Sequence, residues 1–156
     1  MSANPASMFK RLLVPLDGAE LTPRAIDVGI ALASQLGAAI AGFIAEPPVP
    51  VPSPSSGANA QAQGPTASVQ ELLAVERAQR LLRRFEEQAR RTGVVFDGHF
   101  EHTSDVAQAI VHAALQYDCD MIVMVTHGRG AVGRLLFGSY TQQVLARSTV
   151  PVLVMH

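Results

Sequence analysis

Apolar positions along the chain fall into short continuous runs separated by longer stretches with helical spacing. Leu12-Leu13-Val14-Pro15-Leu16 is the first run, bounded by Lys10-Arg11 and by Asp17-Gly18. A run without polar alternation is the pattern of a strand covered on both faces. Thr22-Pro23 then opens a helix, with Thr22 as N-cap and Pro23 in the first turn. Ile26, Ile30, Ala33 and Leu36 recur on one helical face, and Gly37 closes it. A second run, Ala38 to Ala45, stops at Glu46-Pro47-Pro48. Val69 to Thr92 predicts a long helix with a stripe of Leu72, Val75 or Glu76, Gln79, Leu82 and Phe85. Gly93 ends it, and Val94 to Phe100 predicts a third strand with a bend at Gly98. Ser104-Asp105 caps the next helix, whose Val106, Ile110, Ala113, Ala114 and Tyr117 face the sheet. Met121 to Val125, a helix from about Ser139 to Arg147, and Val150 to Met155 complete the series.

Strands and helices alternate from end to end. That alternation predicts an α/β fold, a single-domain, doubly wound open sheet of five parallel strands with helices on both faces, and the strand order expected for it is 3-2-1-4-5. A ligand is then expected at the carboxyl ends of the strands that flank the reversal in strand order.

Composition narrows the classes. With 156 residues the chain is one domain large enough for a real core. Apolar residues make up 48% and charged ones 16%, which excludes a disordered protein. The exception is Pro47 to Ser68, rich in Pro, Ser and Gly; it is expected to be a mobile surface loop or a lid, and Met1 to Ser7 a loose tail. A net charge of −1 supplies no global field for nucleic acid or an acidic membrane. The arginines of the long helix interleave with Glu71, Glu76, Glu86 and Glu87, as on a solvated face. No apolar run reaches membrane-spanning length and the start shows no secretory h-region, so a cytoplasmic location is expected. The single cysteine, Cys119, excludes an internal disulfide and reads as a buried thiol.

The chemistry concentrates after the fourth strand. Met121 to Val125 empties into Thr126-His127-Gly128, with further glycines at Gly130, Gly133 and Gly138. Such a strand, loop and helix start gathers unpaired N–H groups suited to phosphate. The dinucleotide pattern G-x-G-x-x-G is present as Gly128 to Gly133, but no acid follows Asp120 to hold a ribose. The P-loop pattern nearly fits Gly133 to Gly138, but Ser139 stands where the lysine belongs.

A third pattern accounts for more. Val125-Thr126-His127-Gly128, nine residues, then Gly138-Ser139 resembles the G-x-x-G-x9-G-[ST] motif of the universal stress protein family. The resemblance runs from Lys10-Arg11-Leu12-Leu13-Val14-Pro15-Leu16-Asp17-Gly18 to Pro151-Val152-Leu153-Val154. It implies an adenine nucleotide, ATP or AMP, with any Mg²⁺ held through the phosphates. It implies Asp17 at the ribose, with Pro15 and Leu16 beside it, and adenine read by backbone near Ile44. It implies that Met124 and Val125 border the site and that Gly128, Arg129, Gly130, Gly138, Ser139 and Tyr140 wrap the phosphates. It also implies a homodimer through Val150 to Met155, the last strand, whose apolar edge invites pairing. Val125 stands where the motif has its first glycine, and its side chain either crowds the ribose or points into the core.

Blander roles stay open beside these. Asp17 could cap its loop, and Arg129 and Arg134 could remain solvated. His127 has no acid or nucleophile beside it, so a loop-shaping bond competes with a base. Ser139 reads as an N-cap and phosphate donor, since no G-x-S-x-G elbow is present. His99, His102, His112 and His156 lack metal-ligand spacing. The expected function is a nucleotide-binding stress-response sensor or regulator. Its rivals are a slow ATP hydrolase or phosphotransferase and an interaction module without its ligand.

Overall fold

The computed structural model describes residues 7–17, 22–49, 67–126 and 138–156. Nine elements alternate along them: β1 (Arg11–Leu16), α1 (Thr22–Leu36), β2 (Ala39–Glu46), α2 (Ala67–Arg91), β3 (Phe96–His102), α3 (Val106–Gln116), β4 (Met121–Val125), α4 (Ser139–Arg147) and β5 (Val152–Met155). The strands form one parallel sheet in the order β3-β2-β1-β4-β5, as expected. Chain order reverses between β1 and β4.

Side-chain parity divides the core in two. Leu12, Val14, Leu16, Ile40, Ile44, Met121 and Val123 pack with α1 and α2 on one face. Leu13, Ala41, Phe43, Ile122 and Met124 pack with α3 and Val144 of α4 on the other. Both faces are covered, which is why the inner strands carry no polar alternation.

The long helix α2 meets the sheet along small residues. Ala74, Ala78, Phe85 and Ala89 are buried, whereas Leu72 is 66% exposed and Gln79 is exposed. The predicted stripe is therefore displaced: alanine marks where the helix comes close, and bulk alone misleads. Glycine on the strands below permits that approach. A Cβ on Gly42 would lie 2.7 Å from the Phe96 ring, and one on Gly98 would lie 3.1 Å from Leu82. Gly98 makes no bend; it stays in register opposite Gly42.

Several boundaries shift for local reasons. Thr22 is the first helical residue, and its hydroxyl donates to Asp17 Oδ1 at 3.4 Å. α2 begins at Ala67, taking the last two residues of the predicted loop; residues 50–66 lie outside the described residues. β3 starts at Phe96, because Val94 closes α2 by donating to the Ala89 carbonyl, and it runs on to His102 opposite Glu46. β5 starts at Val152. The Ser148 hydroxyl binds both the Val150 carbonyl (2.7 Å) and its N–H (3.2 Å), and Pro151 has no N–H to offer.

Three helices end in the same wrapped turn. Ala38 N–H reaches the Ala33 carbonyl past Gly37, Val94 reaches Ala89 past Gly93, and Cys119 reaches Ala114 past Asp118. The residue at the hinge of each turn has positive φ: 65° at Gly37, 74° at Gly93 and 52° at Asp118. The first two fit the glycine rule. Asp118 adopts the left-handed region with a Cβ in place, which is costly. Asp118 is exposed, so Asp118→Gly removes strain without opening a cavity. The expected outcome is a gain of about 0.5–1 kcal/mol in urea unfolding; a loss of stability would refute the strain.

Candidate functional site

The site follows from how β1 is shared between two neighbours. Backbone groups along a strand point alternately to either side. The Lys10 carbonyl accepts from Ala39 N–H beside β2, and the Arg11 carbonyl accepts from Asp120 N–H beside β4. Odd-numbered residues of β1 therefore face β4. At the amino edge the pair is stapled: the Asp120 carboxylate also accepts Lys10 N–H (2.8 Å) and Arg11 N–H (3.2 Å). The register then reads Leu12↔Met121 and Leu13↔Ile122. The next donor toward β4 would be the N–H of residue 15, aimed at the Val123 carbonyl. That residue is Pro15, which has none. The β1–β4 ladder stops there, whereas β1 and β2 stay paired through Leu16↔Ile44. No register pair joins β1 and β4 beyond Leu13↔Ile122, at the carboxyl end of the reversal point, the crevice position at which doubly wound sheets take ligands.

Six of the twelve site residues expected from sequence lie in or just beyond β1, β2 and β4 toward their carboxyl ends. Leu16 and Ile44 are partners at the ends of β1 and β2, both buried on the α1/α2 face. Pro15 is half-buried, and Asp17 is exposed where β1 ends. Met124 is buried against α3 and α4. Val125 is half-buried and packs with the α1/α2 core, so its side chain points into the protein. Gly128, Arg129 and Gly130, with His127 and Arg134, lie outside the described residues.

Gly138, Ser139 and Tyr140 start α4, all exposed. The N-cap is Gly138 with no side-chain cap bond, so Ser139 is the first helical residue and not the cap. Gly138 has ordinary φ of −57°, and a Cβ added there meets nothing within 4 Å among the described residues. Neither backbone strain nor described packing requires glycine here. Among the described contacts, none joins this turn to Asp17 or Ile44.

Two residues at the crevice carry no signal in the sequence. Thr126, buried just past β4, donates its N–H to the Met155 carbonyl at 2.8 Å and places its hydroxyl 3.0 Å from His156 Nδ1. Arg24, in the first turn of α1, donates to the His156 carbonyl. The partners are separated by up to 132 residues, beyond any local pattern.

The α3 face carries a second polar group. Arg11 reaches Asp97, which also binds His99, and the His99 ring stacks on Tyr117 at 3.6 Å. Burial, then Glu101 and Asp97, hold the Tyr117 hydroxyl above its ordinary range. Burial pushes the Cys119 thiol up to about 11 despite the Arg11 guanidinium nearby, so it is inert at neutral pH. Among the described residues, no three His, Cys, Asp or Glu side chains gather as metal ligands. No described helix is long and apolar enough to cross a membrane.

These elements make an α/β domain whose strand order reverses between β1 and β4. The chain belongs to the universal stress protein family, whose model matches residues 8–156. A universal stress protein of Thermus aquaticus is 34% identical over 147 residues, covering 94% of this chain and 98% of its own. A solved member from Burkholderia pseudomallei, 24% identical, has a TM-score of 0.76 and covers 97% of this chain and 98% of its own. A structure from Archaeoglobus fulgidus in complex with dAMP is 15% identical, with a TM-score of 0.61, covering 95% and 98%.

One ion pair anchors α4. Both Nη1 contacts from Arg147 reach the Asp105 carboxylate (2.8 and 3.0 Å), which also accepts Gln108 N–H at 3.1 Å as the N-cap of α3. The Gln108 bond first, and then Arg147, hold the Asp105 carboxyl below its ordinary range. A depressed folded pKa gives stability that is complete above the ordinary carboxylate range and lost as pH falls through the lowered value. Asp105→Asn keeps an acceptor for Gln108 but drops the charge. It should be less stable than wild type at pH 7, with the gap closing below about pH 4. Urea unfolding at several pH values checks this, and a gap that does not change with pH counts against it.

Proposed function

We propose that this protein binds an adenine nucleotide, ATP or AMP, in the crevice between β1 and β4 and acts as a stress-response sensor or regulator. The observation that carries the reading is the ladder end at Leu13↔Ile122, beyond which no register pair joins β1 and β4 at the reversal point. Family membership, and the dAMP held by a protein of the same fold, support an adenine nucleotide as the ligand class.

In this reading the Asp17 carboxylate accepts from the ribose hydroxyls, and the backbone near Ile44 reads adenine. Pro15, Leu16, Met124 and Val125 form the floor. Gly128, Arg129, Gly130, Gly138, Ser139 and Tyr140 hold the phosphates, and Mg²⁺ is carried on the phosphates. The packing of Val125 into the α1/α2 core favours a role through its backbone. Gly138 precedes a helix start, where N–H groups and the dipole favour an anion, and no described residue would meet a Cβ there within 4 Å.

Calorimetric titration with ATP and with AMP is expected to give dissociation constants in the micromolar range. Gly138→Asp should weaken binding at least about tenfold, by filling the approach with like charge, while thermal stability without ligand stays near wild type. A flat wild-type titration with both nucleotides rejects the reading.

The same reading includes a cytoplasmic homodimer joined along the last strand. β5 is an edge strand, half-buried along its length. Carbonyls of Pro151 and Met155 accept from β4, so the N–H groups of Val152 and Val154 face the open edge. Val154→Pro removes an outward donor and leaves the β4 ladder intact. Sedimentation should show a wild-type dimer and a Val154→Pro monomer; a dimeric variant argues for another interface.

A further inference from the structure

The β4 strand is held by more register pairs on its β5 side than on its β1 side. β4 has only two register pairs with β1 but four with β5, Ile122↔Val152 to Val125↔Met155. The hold on β5 continues one residue beyond the strand, because Thr126 donates both its N–H (2.8 Å) and its hydroxyl (3.4 Å) toward the Met155 carbonyl. The end of β4 is therefore fixed from the side away from the crevice. Pro15 releases it on the near side.

His156 then joins this wall to the other. Its Nδ1 lies 3.0 Å from the buried Thr126 hydroxyl, and its backbone carbonyl accepts from Arg24. Arg24 lies two residues after Thr22, whose hydroxyl donates to Asp17 Oδ1 at the end of β1. Read in space, the path runs Asp17, Thr22, Arg24, His156, Thr126. It links the ends of β1 and β4 through α1, where the sheet itself no longer links them.

We propose that Thr126, His156 and Arg24 form a clasp that sets the width of the crevice and so positions Asp17 and the Val125 backbone for the nucleotide. The inference rests on the nucleotide reading above and adds three positioning residues to it. Its physical basis is preorganisation. A wall free to shift loses conformational freedom when a ligand orders it, and that cost subtracts from affinity. A wall already fixed by hydrogen bonds escapes most of that cost. Arg24 and His156 act through Thr126 and α1; they need not touch the ligand.

Thr126→Val keeps the side-chain shape and removes the hydroxyl, and His156→Ala and Arg24→Ala remove the other two members. Each should weaken ATP or AMP binding about 5- to 10-fold, the scale of one lost hydrogen bond. Hydrogen exchange at the Thr126 amide should quicken in Thr126→Val and His156→Ala, while exchange at Leu13 and Ile122 holds. The ligand-free unfolding midpoint should change little, which separates positioning from a general loss of stability. Thr126→Ser and His156→Asn retain the bonding groups and should restore affinity. If wild type binds nucleotide and the variants bind it equally well, the clasp is overturned and the nucleotide reading stands. If wild type binds neither nucleotide, the nucleotide reading falls and takes the positioning role with it. Equal loss of affinity and of ligand-free stability, unrelieved by the conservative variants, also overturns the clasp.

Discussion

The missing N–H of Pro15 is the constraint that ends the β1–β4 ladder. A parallel sheet distributes the backbone groups of each inner strand between two neighbours. β1 gives its even-numbered groups to β2 and its odd-numbered groups to β4. Proline at an even position would have broken a ladder inside one half of the fold. At position 15 it interrupts the pairing at the single place where the strand order reverses. Meanwhile the Asp120 carboxylate binds two consecutive amides at the other end of the same pair. One end of the β1–β4 seam is stapled and the other released.

Small residues set how closely the layers approach that seam. Gly42 and Gly98 admit the Phe85, Phe96 and Leu82 side chains, and a methyl group at either glycine would press on them. Ala39 and Ala41 of β2 leave room for Arg11 to extend from β1 to Asp97 on β3. The charged edge of β3 is thus neutralised within the domain: Asp97 binds both Arg11 and His99, and Tyr117 covers the imidazole.

Fold class was legible because parity and alternation are local, whereas alternation alone does not order the strands. Leu12-Leu13-Val14 must be covered twice, and the wrapped helix ends at Gly37 and Gly93 announce themselves by residue type. Boundaries were less legible where side chains compete for the backbone. Ser148 takes both polar groups of Val150 and shortens β5; Val94 is needed to close α2 and so cannot begin β3. The α2 stripe misled because exposed Leu72 outweighs buried Ala74 on any hydropathy scale, although closeness selects the smaller residue. Asp17, Leu16 and Ile44 could be placed on the crevice because strand ends are predictable. Thr126, His156 and Arg24 could not, since their meeting depends on how β5 and α1 pack.

Val125 shows how far a motif can be separated from the residue type that defines it. A glycine at that point leaves the strand end without a side chain. Here the valine side chain is directed into the α1/α2 core, and its Cα partner on β5 is Met155. Strand parity fixes this direction, since Val125 follows Met121 and Val123 on the same face. Moving the isopropyl group into the crevice would require a one-residue slip of β4. A slip would turn Ile122 and Met124 out of the opposite core at the same time. The two cores therefore hold the side chain at position 125 away from the edge, so that the backbone is what remains there at the end of β4.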